Sequence, residues 1–348
     1  MKTIVRLLLL ATILFSCSSH EEEKNPLTFT GLAMTIPYRI LVGSPVLENH
    51  RNEVEQIIAQ TFAEIDETYN KWNPLSELSQ LNSAKAKEKI YLSKEMNEFL
   101  QRVKTIVVMT EGRYDPTIEC IQTVWRKYLP LHQEPPHEEL AAILPALGWH
   151  NVHIDNGLFY KDNDATQLDL SGIAKGYAVD LLIERLSAAG YPNTFVEWGG
   201  EVRAQGLHPK DRPWNIYISR FEDADPTHAI AYISLTNQAI ATSGDYNQNW
   251  RVGKTRYCHI YNPKSGRPYP ITDTSIASAS VVAKNCFLAD ALATAALTFS
   301  NLTQAQVWAD SVTKNHPDVA IWLMARTTEI PSKAHTLAKE PQVNQETL

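Results

Sequence analysis

The chain has 348 residues, enough for one elaborate domain or two, and its 44% hydrophobic content supports a large core. A formal net charge of −7 gives no basic face for nucleic acid, which excludes that class of partner. Of four cysteines, Cys120, Cys258 and Cys286 are widely spaced in the body; they indicate neither a zinc site nor a disulfide scaffold, leaving buried thiols as the default and one disulfide open.

The first residues form an export signal: Met1 to Arg6 carries positive charge, Leu7 to Phe15 is apolar, and Ser16-Cys17 follows. The apolar run is too short for a mature membrane helix, and a small residue before a lone cysteine resembles a bacterial lipobox. Cleavage before Cys17 would leave a lipid anchor on the periplasmic side, with the inner membrane favoured over the cell surface. Residues 17–28 are then an acidic tether, 29–325 a globular body, and 326–348 a polar tail carrying Pro331 and Pro341.

Within the body, Phe29 to Val42 is strand-like, and Glu53 to Trp72 is an amphipathic helix with Val54, Ile57, Ile58, Phe62 and Ile65 on one face. A turn at Asn73-Pro74 leads to a short capped helix, and Ser93 to Thr110 is a longer one stopped by Gly112. Arg113 to Thr117 is a loop, because Asp115 precedes a proline. A short helix runs from Glu138 toward Gly148, and Val152 to Tyr160 folds as a hairpin around Asp155-Asn156-Gly157. A helix extends to Ala189 with Ala178, Leu182 and Leu186 along one stripe. Strands follow at Thr194–Gly206, Trp214–Ser219, Ala229–Leu235, Ala239–Ser243, Tyr257–Tyr261 and Ser275–Ala283, then an alanine-rich helix from Cys286 to Ser300. Strands in succession without helices between them pair antiparallel, so the fold class is α+β, mainly antiparallel sheets flanked by helices.

The most informative segment is Leu168-Asp169-Leu170-Ser171-Gly172-Ile173-Ala174-Lys175-Gly176, which runs into that striped helix. Glycines admit a ligand close to the backbone, helix N-terminal amides favour anions, and Lys175 adds a mobile cation. Asp169 would repel a phosphate unless a cation lay between, so the loop points to a nucleotide held with a metal nearby. Asp290 and Thr294, four apart on the late alanine-rich helix, can both reach one hard cation, and magnesium needs only one or two carboxylates besides substrate phosphates. Taken alone, either feature is also consistent with a plain turn or helix start. His259 is a candidate base near neutral pH, with Asp245 the carboxylate that would replace it, and Arg267 is placed to meet a phosphate. Met34, Trp72 and Tyr114 offer surfaces for a flat ring system.

In order and spacing, these segments resemble the ApbE family of FAD:protein FMN transferases over roughly Gly31 to Ser300. The likeness rests on Trp72 to Ser79, Gly112 to Thr117, Leu168 to Asp180, Trp198 to Arg203, Ala241 to Tyr246, His259 to Pro268 and Ala289 to Thr294. The resemblance implies an ApbE-like, T-fold-like architecture and a lipoprotein that binds FAD with magnesium. It would move FMN onto a threonine hydroxyl of an acceptor flavoprotein subunit of a membrane redox complex, releasing AMP. It implies a metal held by Asp290, Thr294 and the Gly172 carbonyl, and dinucleotide contacts from Asp169 and Lys175. Met34, Trp72, Arg113, Tyr114, Asp115 and Ile260 would line the pocket, and His259 would be the base. An FAD pyrophosphatase and a non-catalytic flavin-binding lipoprotein are the alternatives. The chain departs from the family at Ala33-Met34-Thr35, which lacks a glycine between Met and Thr, at Glu197-Trp198, at Glu201 in place of Asp, and at Cys258 in place of Ser. It has no Ser/Thr-Gly-Ala-Thr acceptor segment of its own, so the acceptor lies on another protein.

Overall fold

A computed structural model describes residues 25–44, 50–219, 226–246 and 248–326; the export signal, Cys17, most of the tether and the tail beyond Arg326 lie outside the described residues. The strand-like stretch after the tether is a hairpin of β1 (Leu27–Ala33) and β2 (Ile36–Val42). Met34 and Thr35 make its turn at φ 46° and 67°. Positive φ at both central residues is the two-residue turn whose twist matches a hairpin, and glycine adopts it without strain. The glycine absent beside Met34 is thus missing from a position where it would suit the backbone.

Next come α1 (Arg51–Tyr69), α2 (Glu77–Ser83), β3 (Ile90–Tyr91), α3 (Lys94–Met109), α4 (Glu119–Tyr128) and α5 (His137–Ile143). They are followed by β4 (Val152–Asp155), β5 (Leu158–Lys161), α6 (Ser171–Ala188), β6 (Thr194–Trp198), β7 (Glu201–Gln205), β8 (Trp214–Ile218) and β9 (Ala231–Leu235). The rest is β10 (Gln238–Gly244), β11 (Asn249–Val252), β12 (Thr255–Asn262), β13 (Arg267–Pro270), β14 (Ile276–Ala283), α7 (Cys286–Ala296), α8 (Leu302–Asn315) and β15 (Ala320–Ala325). The short helix after the Asn73-Pro74 turn is capped as expected, Ser76 accepting from the Ser79 amide, and Ser93 likewise accepts from the Met96 amide.

The main sheet has the order β1-β2-β6-β7-β10-β14-β15, and every strand pairing in the sheets is antiparallel. Residues 194–206 are not one strand. They form the β6–β7 hairpin, because Gly199 and Gly200 turn the chain at φ 64° and 101°. The α1 helix ends at Tyr69, short of Trp72, and α7 ends at Ala296, short of Ser300.

Helix α6 lies on the main sheet and packs against α1 and α7, with Ala178, Val179, Leu182, Ile183 and Leu186 fully buried. The alanine-rich α7 is buried almost all round, which its small side chains allow. A Cβ on Gly176 would lie 2.4 Å from the Cys286 carbonyl oxygen, so only glycine lets the two helices come this close. Asp180 locks the pair: it accepts the Cys286 and Phe287 amides at 2.8 and 2.9 Å and pairs with Arg203 at 2.7 Å. A second core around Ile121, Trp125, Tyr257 and Tyr261 seats the β11-β12-β13 sheet, and the Trp125 indole donates to the Gly266 carbonyl at 2.9 Å.

Candidate functional site

One cavity of about 1440 Å³ opens between the N-terminal end of α6, the α7 face, β12 and the β1–β2 and β6–β7 turns. Its wall includes every residue that the family resemblance assigns to the site: Met34, Trp72, Arg113, Tyr114, Asp115 and Asp169, together with Gly172, Lys175, His259, Ile260, Asp290 and Thr294. The volume exceeds the ~300–1,000 Å³ of ordinary small-molecule pockets. Tyr114 Oη, Trp198 Nε1, Glu201 Oε2 and His259 Nδ1 are buried polar atoms without hydrogen-bond partners, and all four residues line this cavity. Such groups are normally satisfied in a folded protein, so their clustering marks a place where a ligand supplies the missing bonds.

At the head of α6, Asp169 Oδ1 accepts the Ser171 amide at 2.9 Å and also its hydroxyl, while Oδ2 pairs with Lys71 Nζ at 2.9 Å. Burial opposes ionisation here, yet the Lys71 ammonium and the Ser171 bonds outweigh it and lower the carboxyl to about 2. Lys71 also reaches Glu119 at 2.5 Å and Gln122 at 2.8 Å. It is the cation that lets Asp169 stand beside an anion site. Nothing local in the chain marks this pair, because Lys71 and Asp169 are far apart in sequence.

Asp290 Oδ2 accepts the Gly176 amide at 3.0 Å. That amide is the one a regular helix directs at the Gly172 carbonyl. Thr294 Oγ1 sits against Gly172, where an added Cβ would lie 3.1 Å away, and is 3.4 Å from Ser243 Oγ. A carboxylate, a hydroxyl and a backbone carbonyl therefore converge on one corner. This all-oxygen set fits a hard cation that keeps waters and shares substrate phosphates. Among the described residues no cluster of three His, Cys, Asp or Glu could hold a metal by itself.

Lys175 pairs with Glu201, whose side chain is buried. Burial pushes up both the Glu201 and the Asp290 carboxyls, opposed by Lys175, while the same two acids keep Lys175 charged against the cost of its own burial. One fixed cation between two buried acids leaves this corner short of positive charge.

His259 lies on β12, and burial pushes its pKa below the usual histidine value; a bond to the Gln248 backbone and the nearby Asp169 and Asp245 act the other way. The imidazole is therefore neutral near pH 7, the form a base requires. Asp245 is not a free alternative: its buried carboxylate is engaged by the Arg326 guanidinium and is absent from the cavity wall. Arg267 also departs from its expected role, since it pairs with Glu134 at 2.6 Å and does not line the cavity. Among the described residues no disulfide forms, and Cys120, Cys258 and Cys286 are free and buried.

At the rim, Trp72 is 69% exposed with Lys71 and Arg126 each 5.1 Å from its ring. Arg113 lies 3.6 Å over Phe299, and Tyr114 is buried beside Gly172. Asp115 uses its carboxylate to hold its own loop, accepting from the Thr117 amide and hydroxyl and from the Trp149 amide. Arg39, Gln122, Arg126, Trp198 and Glu201 also belong to the wall.

The model of the ApbE family matches residues 34–320. An FAD:protein FMN transferase of Chlamydia pneumoniae is 38% identical over 306 residues, covering 87% of this chain and 93% of that protein. Among solved structures, the apo form of the flavinyl transferase ApbE of Pseudomonas stutzeri superposes with a TM-score of 0.75 at 25% identity, over 86% of this chain and 91% of that one. The flavin transferase ApbE of Vibrio cholerae gives 0.73 at 27% identity, over 87% and 94%. The mixed architecture of helices and antiparallel sheets is shared with these structures.

Proposed function

The chain belongs to the ApbE family, and from that premise we propose that it is an FAD:protein FMN transferase, moving FMN from FAD to a threonine hydroxyl of an acceptor flavoprotein and releasing AMP. The observation that carries this reading is the convergence of the twelve residues that the family resemblance assigns to the site on one cavity large enough for a dinucleotide.

Asp290, Thr294 and the Gly172 carbonyl would hold magnesium, and bound there it would supply charge neutralisation at the pyrophosphate. Lys175 and the α6 amides face the phosphates, and Lys71 offsets the charge of Asp169 so that the helix end still favours an anion. Trp72, Tyr114, Met34 and Ile260 offer apolar surface to the rings. His259, neutral at pH 7, takes the proton from the threonine hydroxyl as its oxygen bonds to the FMN phosphorus and the bond from that phosphorus to the AMP phosphate breaks. Positioning and charge carry such a transfer, so no covalent nucleophile on the enzyme is required. In this reading the enzyme works on the periplasmic side of the membrane, held by a lipid on Cys17, and its acceptor is a subunit of a membrane redox complex.

The test is incubation of the protein with FAD, magnesium and a candidate membrane redox subunit, followed by mass spectrometry of the acceptor threonine. The expected result is an FMN adduct on that threonine. FMN free in solution alone would instead identify an FAD pyrophosphatase, and binding without turnover a flavin-binding lipoprotein.

A further inference from the structure

We propose that the groove between β1 and α1 docks an extended, uncharged segment of the acceptor protein, which adds as a strand to the open edge of β1 and enters the cavity past Met34. The inference rests on the flavin-transfer reading and extends it from the flavin to the protein that receives it.

β1 is the edge strand of the main sheet, paired with β2 in unbroken register from Leu27↔Val42 to Ala33↔Ile36. A two-residue turn makes Ala33 and Ile36 a hydrogen-bonded pair, and such pairs alternate along an antiparallel ladder. Gly31 and Phe29 therefore bond to β2, while the N–H and C=O groups of Thr28, Thr30 and Leu32 point away from it. Pro37 opposite Leu32 fits this phase, having no N–H to give to the ladder. Among the described residues no hydrogen bond occupies the outward groups of β1.

Three outward donor–acceptor pairs in succession are a template for another strand. Edge strands are usually blunted by lysine, proline or a bulge. β1, Leu-Thr-Phe-Thr-Gly-Leu-Ala, has none of these, and Leu32 is 73% exposed.

Beside this edge runs a groove of about 800 Å³, walled by Thr28 to Met34 on one side and Arg51 to Asp66 of α1 on the other. Exposed Ala59 and Ala63, four apart on α1, keep its helical wall low. Its charged walls offer little to a charged segment, since Arg51 and Glu55 pair with each other and the Asp66 carboxylate accepts from the Asn70 and Asn73 side chains. The groove does not end blindly: Met34 and Asp66 line both it and the main cavity. A strand laid along the seven residues of β1, roughly 24 Å, is thus delivered to the Met34–Thr35 turn, where a following hydroxyl enters the cavity.

Two variants test the docking. Thr30→Pro deletes one outward N–H without touching the ladder to β2, and Ala63→Arg fills the groove from an exposed helical position. The probe is a soluble domain carrying a Ser-Gly-Ala-Thr segment, flavinylated at saturating FAD and magnesium. Both variants should raise its KM about tenfold or more, while kcat and calorimetric FAD affinity stay within about twofold of wild type. An unchanged acceptor KM in Ala63→Arg overturns the proposal. So does a change in the sedimentation of the enzyme alone with KM unchanged, which would make the groove an interface between copies. If the wild-type chain binds FAD but never flavinylates the domain, the transfer reading itself fails and the docking inference falls with it.

Discussion

The Gly176 amide on α6 and the Asp290 carboxylate on α7 meet at 3.0 Å, so the acid proposed to face the metal also fastens the two helices that carry the metal corner. Asp290→Asn keeps an oxygen for that amide and loses the charge. It should fold with near wild-type stability and transfer FMN roughly 10²-fold more slowly, equivalent to about 3 kcal/mol. Asp290→Ala should lose the same activity and, by orphaning the buried amide, about 1 to 3 kcal/mol of stability as well. Urea unfolding and transfer rates on both variants check this separation, and full activity of Asp290→Asn in chelator-treated protein would remove the metal from the reaction.

Gly176→Ala probes the same contact by crowding. The new Cβ would meet the Cys286 carbonyl oxygen at 2.4 Å and Asp290 Cβ at 2.9 Å, and neither backbone nor buried helix can yield cheaply. Overpacking of this kind should cost about 3 kcal/mol, read as a lowered urea midpoint. A midpoint equal to wild type would mean that α6 and α7 can move apart.

The pH dependence of the rate follows from His259. Because burial lowers its pKa, the rate at saturating FAD should rise with pH, reach half its plateau below the ordinary histidine value of about 6.5, and then stay level. His259→Ala should lose that limb while still binding FAD, since a base acts in the transition state. An active His259→Ala enzyme with an unaltered profile would deny the imidazole its role.

Asp169 links pH to stability. Its folded pKa of about 2 lies below the unfolded value of 3.8, so its contribution is complete above the unfolded pKa and is lost as pH falls through about 2. That difference is worth roughly 2 kcal/mol. Asp169→Asn should be less stable than wild type by about that amount at pH 7, and the gap should narrow between pH 4 and 2. Urea titrations of both proteins at pH 7 and pH 3 give the comparison; a constant gap would mean that the Lys71 pair contributes nothing that protonation can remove.

Much of the site was legible because its chemistry is local in sequence. The Asp169–Gly176 segment and the Asp290–Thr294 spacing each mark one helix face, and both faces line the cavity. Charge partners distant in the chain were not legible. Lys71 on Asp169, Glu201 on Lys175 and Arg326 on Asp245 are products of tertiary packing. Arg267 and Asp245 were misassigned for that reason, since a basic or acidic residue in a loop says nothing about which partner has already claimed it. Among the elements, α4 carries little signal in the sequence because Ile118, the residue before its first turn, supplies no side-chain cap and its interior holds the β-branched Ile121, Thr123 and Val124. β13, Arg-Pro-Tyr-Pro, escaped because two prolines argue against a strand, yet it lies at the edge of its small sheet, where proline is tolerated. The β1–β2 and β6–β7 hairpins resemble single strands in sequence because β-forming residues run through both, and the first turns through non-glycine residues at positive φ.

The lock between α6 and α7 also sets when the protein can become competent during synthesis. Asp180 and Gly176 emerge from the ribosome more than a hundred residues ahead of their partners at Cys286, Phe287 and Asp290, and the inner strand β14 that α7 follows is equally late. Contacts of such long range close slowly, and until they close the first part of the chain carries half a binding corner. Ligands that need both helices therefore stabilise only the finished chain, so the availability of FAD and metal should select completed molecules over truncated or half-folded ones.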